Sequence, residues 1–303
     1  MESFTLRPLG IPEIIDAAIR IIRRRTRPLV TIAAVVLVPI AIVQYFISRS
    51  LQATASGLQT ISPTADPDEV FEQITESLGP LLVVGLTTGA IAWLAQLLVW
   101  LALTKAIVDI YLDRPPDWKE SLRYGLRRLP AAIGASLIAF IPLLVGFLLY
   151  VLPGVALATL WSLTGVAIAA EGRGPGAGLS RSFDLVKRRF WPMLGVLILA
   201  ILVTVVIGFV IGLIVGAATI AIPTIQLEVQ TLLSTAISIF TTPFTAAVLT
   251  VAYFDLRVRL EGFDLELMAQ SSDSPVPPAP EAPVLPPPPD DTDPFGLGRP
   301  GGP

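Results

Sequence analysis

The sequence predicts an all-α, polytopic membrane helix bundle with six transmembrane helices. Three observations carry this reading. The 303-residue chain has a mean hydropathy of +0.73 and only 15% charged residues, too apolar for an ordinary soluble domain. Its apolar residues fall in blocks of roughly 20, the length that crosses ~30 Å of hydrocarbon at ~1.5 Å rise per residue. Basic, amphipathic stretches precede three of those blocks, so the spans pair as three hairpins, each prefaced by a cytoplasmic interfacial helix. The membrane domain covers residues 1–268 and a tail covers 269–303.

In residues 1–27, Ile11, Ile14, Ile15, Ala18, Ile19 and Ile22 recur at helical spacing, and Pro12 stands where a helix start needs no N–H. Span one, 28–47, contains Pro39, a kink candidate. Ala53-Thr54-Ala55 resembles a cleavage site. However, the basic region before the span is too long for a signal peptide, and the apolar core exceeds the usual ~7–15 residues. Residues 48–78 form an acidic external loop with Asp66, Asp68, Glu69, Glu72 and Glu76, in which 66–77 can be a short helix. Carboxylates without ligand spacing read as a solvated face rather than a cation site.

Span two covers 79–110. Residues 113–129 hold the second amphipathic stretch, with Trp118, Leu122, Gly125, Leu126 and Leu129 on one face. Span three covers 130–152 and contains Pro142. Leu152-Pro153-Gly154 predicts a tight external turn, and span four returns over 155–170. The third amphipathic stretch follows at 171–191, with Leu179, Phe183, Val186 and Phe190 on one face. Span five, 191–218, opens on Trp191, an interfacial anchor. Within it Gly208, Gly212 and Gly216 form a small-xxx-small stripe suited to helix packing, inside the bundle or in a homo-oligomer. Span six covers 232–254 and contains Pro243. The proline-rich composition beyond it predicts a disordered cytoplasmic tail.

The repeat is visible in its prolines. Pro12, Pro116 and Pro175 open the amphipathic stretches, and Pro28, Pro130 and Pro192 open the spans that follow. Of 21 Lys and Arg residues, 19 lie in 1–27, 111–130, 171–190 or the C-terminal region, which places both termini in the cytoplasm and the protein in the plasma membrane. The expected partners are the bilayer and its anionic inner-leaflet lipids, with a protein partner or a homo-oligomer as further candidates. No basic patch stands apart from the membrane segments, so nucleic acid is not an expected partner.

The chain has no cysteine and no histidine. That removes thiolate chemistry, the commonest general base and the commonest metal ligand, so neither cofactor nor metal is expected. Ser180 and Ser182 lack an activating base. The candidate site is a polar cytoplasmic mouth formed by Lys105, Asp109, Glu171, Arg181, Asp255 and Arg257. Each also has a structural reading: Lys105 with Asp109 is an i,i+4 pair that can snorkel, and Glu171 can satisfy a buried arginine.

The run EGRGPGAGLSRSFDLVKRRFWPMLG, 171–195, resembles the bacterial families grouped around the glycerophosphoryl diester phosphodiesterase membrane domain. The opening LRPLGIPEIIDAAIRIIRR and the closing YFDLRVRLEGFDLEL resemble actinobacterial members of uncharacterised function. The resemblance covers about 5–268. It implies a membrane domain and not the phosphodiesterase activity, whose catalytic domain needs metal-binding carboxylates and histidines. The expectation is therefore a non-enzymatic scaffold or partner subunit of an envelope or lipid-related system. The alternative is a transporter or permease for a lipid-like or small solute, with Gln44, Gln96 and several span threonines as lining groups.

Overall fold

Proline and glycine mark several helix boundaries in the computed structural model, which describes residues 9–58, 66–220 and 226–262. Among these residues every regular element is helical, and six stretches are long and apolar enough to cross a membrane. The elements are α1 (Ile11–Arg24), α2 (Thr26–Leu58), α3 (Pro67–Tyr111), α4 (Trp118–Leu149), α5 (Val151–Leu160), α6 (Thr164–Glu171), α7 (Pro175–Val186), a 3-10 turn (Lys187–Arg189), α8 (Phe190–Ile220) and α9 (Gln226–Glu261). The proline-rich tail lies outside the described residues.

The N-terminus of α1 is closed by the Glu13 carboxylate, which accepts from the Gly10 N–H at 2.7 Å, while Pro12 occupies the first turn without losing a bond. Arg25, at φ −141° and ψ 49°, breaks the chain between α1 and α2. In the second repeat no break occurs: α4 carries the amphipathic stretch and the span as one helix through Pro130 and Pro142. In the third, the 3-10 turn joins α7 to α8.

The external loop is shorter than its composition suggests. Helix α2 runs on to Leu58, and α3 starts at Pro67, with the Asp66 carboxylate accepting from the Asp68 N–H. The acidic segment is thus the first part of a 45-residue helix, not a separate short one. Its C-terminus closes with Asp113 in the left-handed region, φ 55°. Arg114 N–H bonds to Asp109 C=O and Asp113 N–H to Ile110 C=O, the Schellman pattern.

The turn placed at Leu152-Pro153-Gly154 is instead a single extended residue, Tyr150, and Pro153 and Gly154 lie in the first turn of α5. The hairpin is this tight because both facing positions are glycine. A Cβ on Gly146 would lie 3.2 Å from the Gly154 backbone, and one on Gly154 would lie 2.5 Å from the Phe147 ring.

The fourth span is two helices. Between α5 and α6 the chain turns at Trp161–Leu163, leaving backbone groups that apolar surroundings would not satisfy. Ser182 of α7, fully buried, supplies both partners. Its hydroxyl donates to Leu160 C=O at 2.7 Å and accepts from Leu163 N–H at 3.1 Å.

Burial is uneven along the bundle. The core gathers at the basic ends of the helices, around Ile21, Leu29, Ile32, Leu103, Ile107 and Val166, each at most 2% exposed. At the other ends, residues 34–50, 81–94, 201–213 and 229–240 contain no buried residue at all. Their large side chains, such as Phe46, Leu86 and Phe209, are mostly exposed and fit a surface that meets lipid.

The amphipathic faces are those the spacing predicts only in part: Ile14, Ile15, Ala18, Gly125, Leu179 and Val186 are buried. Ile19, Leu126 and Phe183 are exposed at 39%, 56% and 39%. Positions outside the predicted faces are buried as well: Ala17 and Ile21, Ser121, and Gly178 with Ser182. Small residues let the backbones close up: a Cβ on Gly125 would lie 3.2 Å from Leu98 C=O, and one on Gly178 would lie 2.8 Å from Ile168.

Replacing Ser182 with Ala should cost about 1–3 kcal/mol by stranding two buried backbone groups, read as a fall in the thermal midpoint of detergent-solubilised protein. Replacing the exposed Ser180 with Ala should leave that midpoint unchanged.

Candidate functional site

The candidate residues are not joined in one hydrogen-bonded network. They divide into three sets, and the division follows from helix geometry. On α9, residues 253, 257 and 261 recur every four and share a face. Residues 255 and 259 do the same about 200° around the helix. Asp255 and Arg257 therefore turn to opposite sides.

The first set is a junction of α6, α7 and α9. Glu171 ends α6, and its carboxylate accepts four hydrogen bonds: from Arg173 Nε at 2.5 Å, from Arg181 Nε at 3.1 Å and Nη2 at 2.8 Å, and from the Tyr253 hydroxyl. Arg181 extends its guanidinium to a second carboxylate, Glu261, with Nη2 at 2.7 Å from Oε2. Arg257 Nε lies 3.3 Å from Glu261 and 3.8 Å from Glu171. The side chains of Glu171 and Arg181 are each only 15% exposed, so the planar fork of an arginine is needed to serve both acids at once.

The junction continues into α4 through the end of α6. Gly172 adopts φ +67°, the left-handed C-cap that glycine accepts without strain. Arg128 Nη1 donates to Gly172 C=O at 2.7 Å, and the Tyr124 hydroxyl donates to Ala169 C=O at 2.8 Å. Both carbonyls are terminal groups that the helix itself leaves unpaired. A Cβ on Gly172 would meet Arg128 Nη2 at 2.5 Å.

The second set is Lys105 and Asp109, whose charged atoms lie 2.5 Å apart on adjacent turns of α3, with Lys105 Nζ 6.0 Å from the Tyr124 ring centroid. The third set ties down the start of the chain. Asp255 Oδ1 accepts from Leu9 N–H at 2.7 Å, Arg259 Nη2 donates to Leu9 C=O at 2.6 Å, and Arg259 Nε lies 2.9 Å from Asp255. One acid and one base together grip both backbone groups of Leu9, ahead of α1.

The proposed packing glycines of α8 make no close approach. A Cβ on Gly208 would lie 4.0 Å from Ile237, one on Gly212 would meet nothing within 4 Å, and the surroundings of Gly216 lie outside the described residues. The close approaches are at Gly125, Gly134, Gly146, Gly154, Gly172, Gly178 and Gly195. Among the described residues no group of His, Cys, Asp and Glu side chains could hold a metal ion.

Three members of the junction were not singled out from the sequence: Arg173, Tyr253 and Glu261. The four-residue recurrence of Tyr253, Arg257 and Glu261 was the signal that could have found the two on α9. Ser182 was legible in the same way, since Gly174, Gly178 and Ser182 repeat at i+4.

Fold and junction together define a polytopic α-helical membrane protein whose described part shows no catalytic motif. Residues 91–256, more than half of the chain, match the family model described as a domain of unknown function, DUF7847, and the chain belongs to that family. No curated protein and no solved structure matches the chain. The matched region holds Glu171, Arg181 and Tyr253; α1, Arg257 and Glu261 lie outside it.

Because each removes one side of a buried pair, Glu171→Gln and Arg181→Gln should each cost about 3 kcal/mol of stability. The double variant should cost less than the sum, measured as a double-mutant cycle on thermal or denaturant unfolding. Gly172→Ala should cost at least ~1–2 kcal/mol from its left-handed backbone alone, in the same assay.

Proposed function

We propose that this protein is a non-enzymatic scaffold or partner subunit of an envelope or lipid-related membrane system, with both termini in the cytoplasm. The observation that carries the reading is the closure of the arginine–carboxylate junction. A carboxylate has about four acceptor positions, and Glu171 receives four hydrogen bonds from within the chain. Little capacity remains to abstract a proton, hold a cation or bind a headgroup. The junction instead fixes α6, α7 and α9 relative to one another.

Several features support the rest of the proposal. The distribution of Lys and Arg favours a cytoplasmic basic end. Ile19, Leu126, Phe183 and Trp191 are exposed apolar residues on or beside the basic amphipathic segments, as helices lying at a bilayer surface require. These segments and their spans accord with three hairpins in tandem. The likeness of 171–195 to glycerophosphoryl diester phosphodiesterase membrane domains fits a lipid-related setting and contributes no catalytic residue.

One observation favours the transporter reading. A cavity of about 160 Å³ between α2, α3 and α9 is lined by Gln44, Gln96, Ser234 and Ser238 among others. Gln96 is near the middle of the Leu81–Tyr111 segment, and neither carboxamide has a hydrogen-bond partner among the described residues. At ~30 Å³ per molecule the space equals about five waters.

The deciding experiment is purification of the intact protein in mild detergent with identification of what accompanies it. The scaffold reading expects a stoichiometric protein partner that is lost in Phe183→Ser/Trp191→Ser, a variant of exposed residues with unchanged thermal stability. Absence of a partner, with a small solute that raises the thermal midpoint of the wild type but not of Gln96→Leu, would overturn it in favour of transport.

A further inference from the structure

We propose that α1, α8 and α9 form a site for one anionic phospholipid, with Arg189 binding its phosphate. A cavity of about 200 Å³ lies between these helices, well away in sequence from the Gln44 cavity. Its walls include Ile14, Met193, Val196 and Leu256, all at most 5% exposed. Its polar lining is Arg189, Asp255 and Arg259.

The charges decide which ligand fits. Asp255 and Arg259 neutralise each other and are occupied with the backbone of Leu9. Arg189 is half-buried in the 3-10 turn and has no hydrogen bond or ion pair among the described residues. One positive charge therefore remains beside an otherwise apolar cavity. A partly desolvated guanidinium is costly without an anion, and its planar donors match a phosphate. A free inorganic anion would satisfy Arg189 but leave the apolar walls uncovered. An anionic amphiphile serves both, with the upper part of one acyl chain against Met193 and Val196.

The site's level in the molecule agrees with a headgroup. Arg189 precedes Trp191, which is 76% exposed and placed to anchor at the interface. Arg188, also exposed, adds to the local potential, whereas Lys187 is paired with Asp184 at 2.5 Å. The inference deepens the lipid-related setting proposed above and rests on the basic end facing an anionic leaflet. A binding assay in micelles tests the site without regard to orientation or protein partners, so the two readings can fail separately.

The test is native mass spectrometry of the full chain in neutral detergent, with dioleoylphosphatidylglycerol or dioleoylphosphatidylcholine added at equal concentration. The wild type should retain one phosphatidylglycerol in preference to phosphatidylcholine. Arg189→Gln should weaken that binding about tenfold, the loss of one charge-assisted contact. Val196→Trp, which fills the cavity, should abolish it, and Arg123→Gln, at an exposed arginine on α4, should retain it. Equal retention of both lipids by the wild type would overturn the proposal, as would undiminished phosphatidylglycerol binding by Arg189→Gln. Binding that emerges only after deletion of residues 2–7 would also overturn it, assigning the cavity to the chain's own N-terminal segment.

Discussion

A carboxylate placed at the end of an apolar helix must find cations, and the architecture of the basic end follows from how Glu171 finds them. Desolvating an ion costs several kcal/mol, so the folded state is favoured only where the partners converge with good geometry. Arg181 meets this requirement for two acids simultaneously and so joins the end of α6, the middle of α7 and the end of α9. Arg128 and Tyr124 then bring in α4 by capping the same helix end. Three separate parts of the chain, about 45 and 80 residues apart in sequence, are held by groups that would each be unfavourable alone.

The class of the molecule was legible because long apolar blocks with arginines segregated between them suit a membrane and little else. Local pairs were legible too, since Lys105 and Asp109 need only the helix repeat to meet. The amphipathic faces were harder to read. A spacing rule assumes that every apolar residue faces the protein core, whereas α1, the start of α4, and α7 each leave some of theirs exposed. Ile14, Ile15, Leu179 and Val186 turn inward as the spacing predicts, but Ile19, Leu126 and Phe183 turn outward, and Ala17, Ser121, Gly178 and Ser182 take further inward positions. In a membrane, close approach rewards small residues, so hydrophobicity alone misplaces the interface.

The same reasoning explains the glycines. The stripe at 208, 212 and 216 is the most regular in the sequence, yet neither Gly208 nor Gly212 has a neighbour in close contact. The glycines that matter lie where neighbours meet at the basic end or in the α4–α5 hairpin, and partners such as Leu98 for Gly125 and Arg128 for Gly172 belong to other helices. Ser182 illustrates the remainder of what the sequence withheld. Its role depends on a break in the fourth span that no breaker residue announces: Trp161, Ser162 and Leu163 would all be tolerated in a helix.

The contrast between the two ends of the bundle has an evolutionary consequence. Where helices are packed to the density of a solid, a change of one methylene alters stability, and substitutions must be matched by neighbours. Where they are bathed in lipid, any apolar residue of suitable length serves nearly as well as another. Residues 34–50, 81–94, 201–213 and 229–240 should therefore drift rapidly among Leu, Ile, Val and Phe, while the basic half changes slowly and in concert. Two descendants of this chain could share little identity over half of their membrane-spanning length and still be the same molecule at the end where it is built.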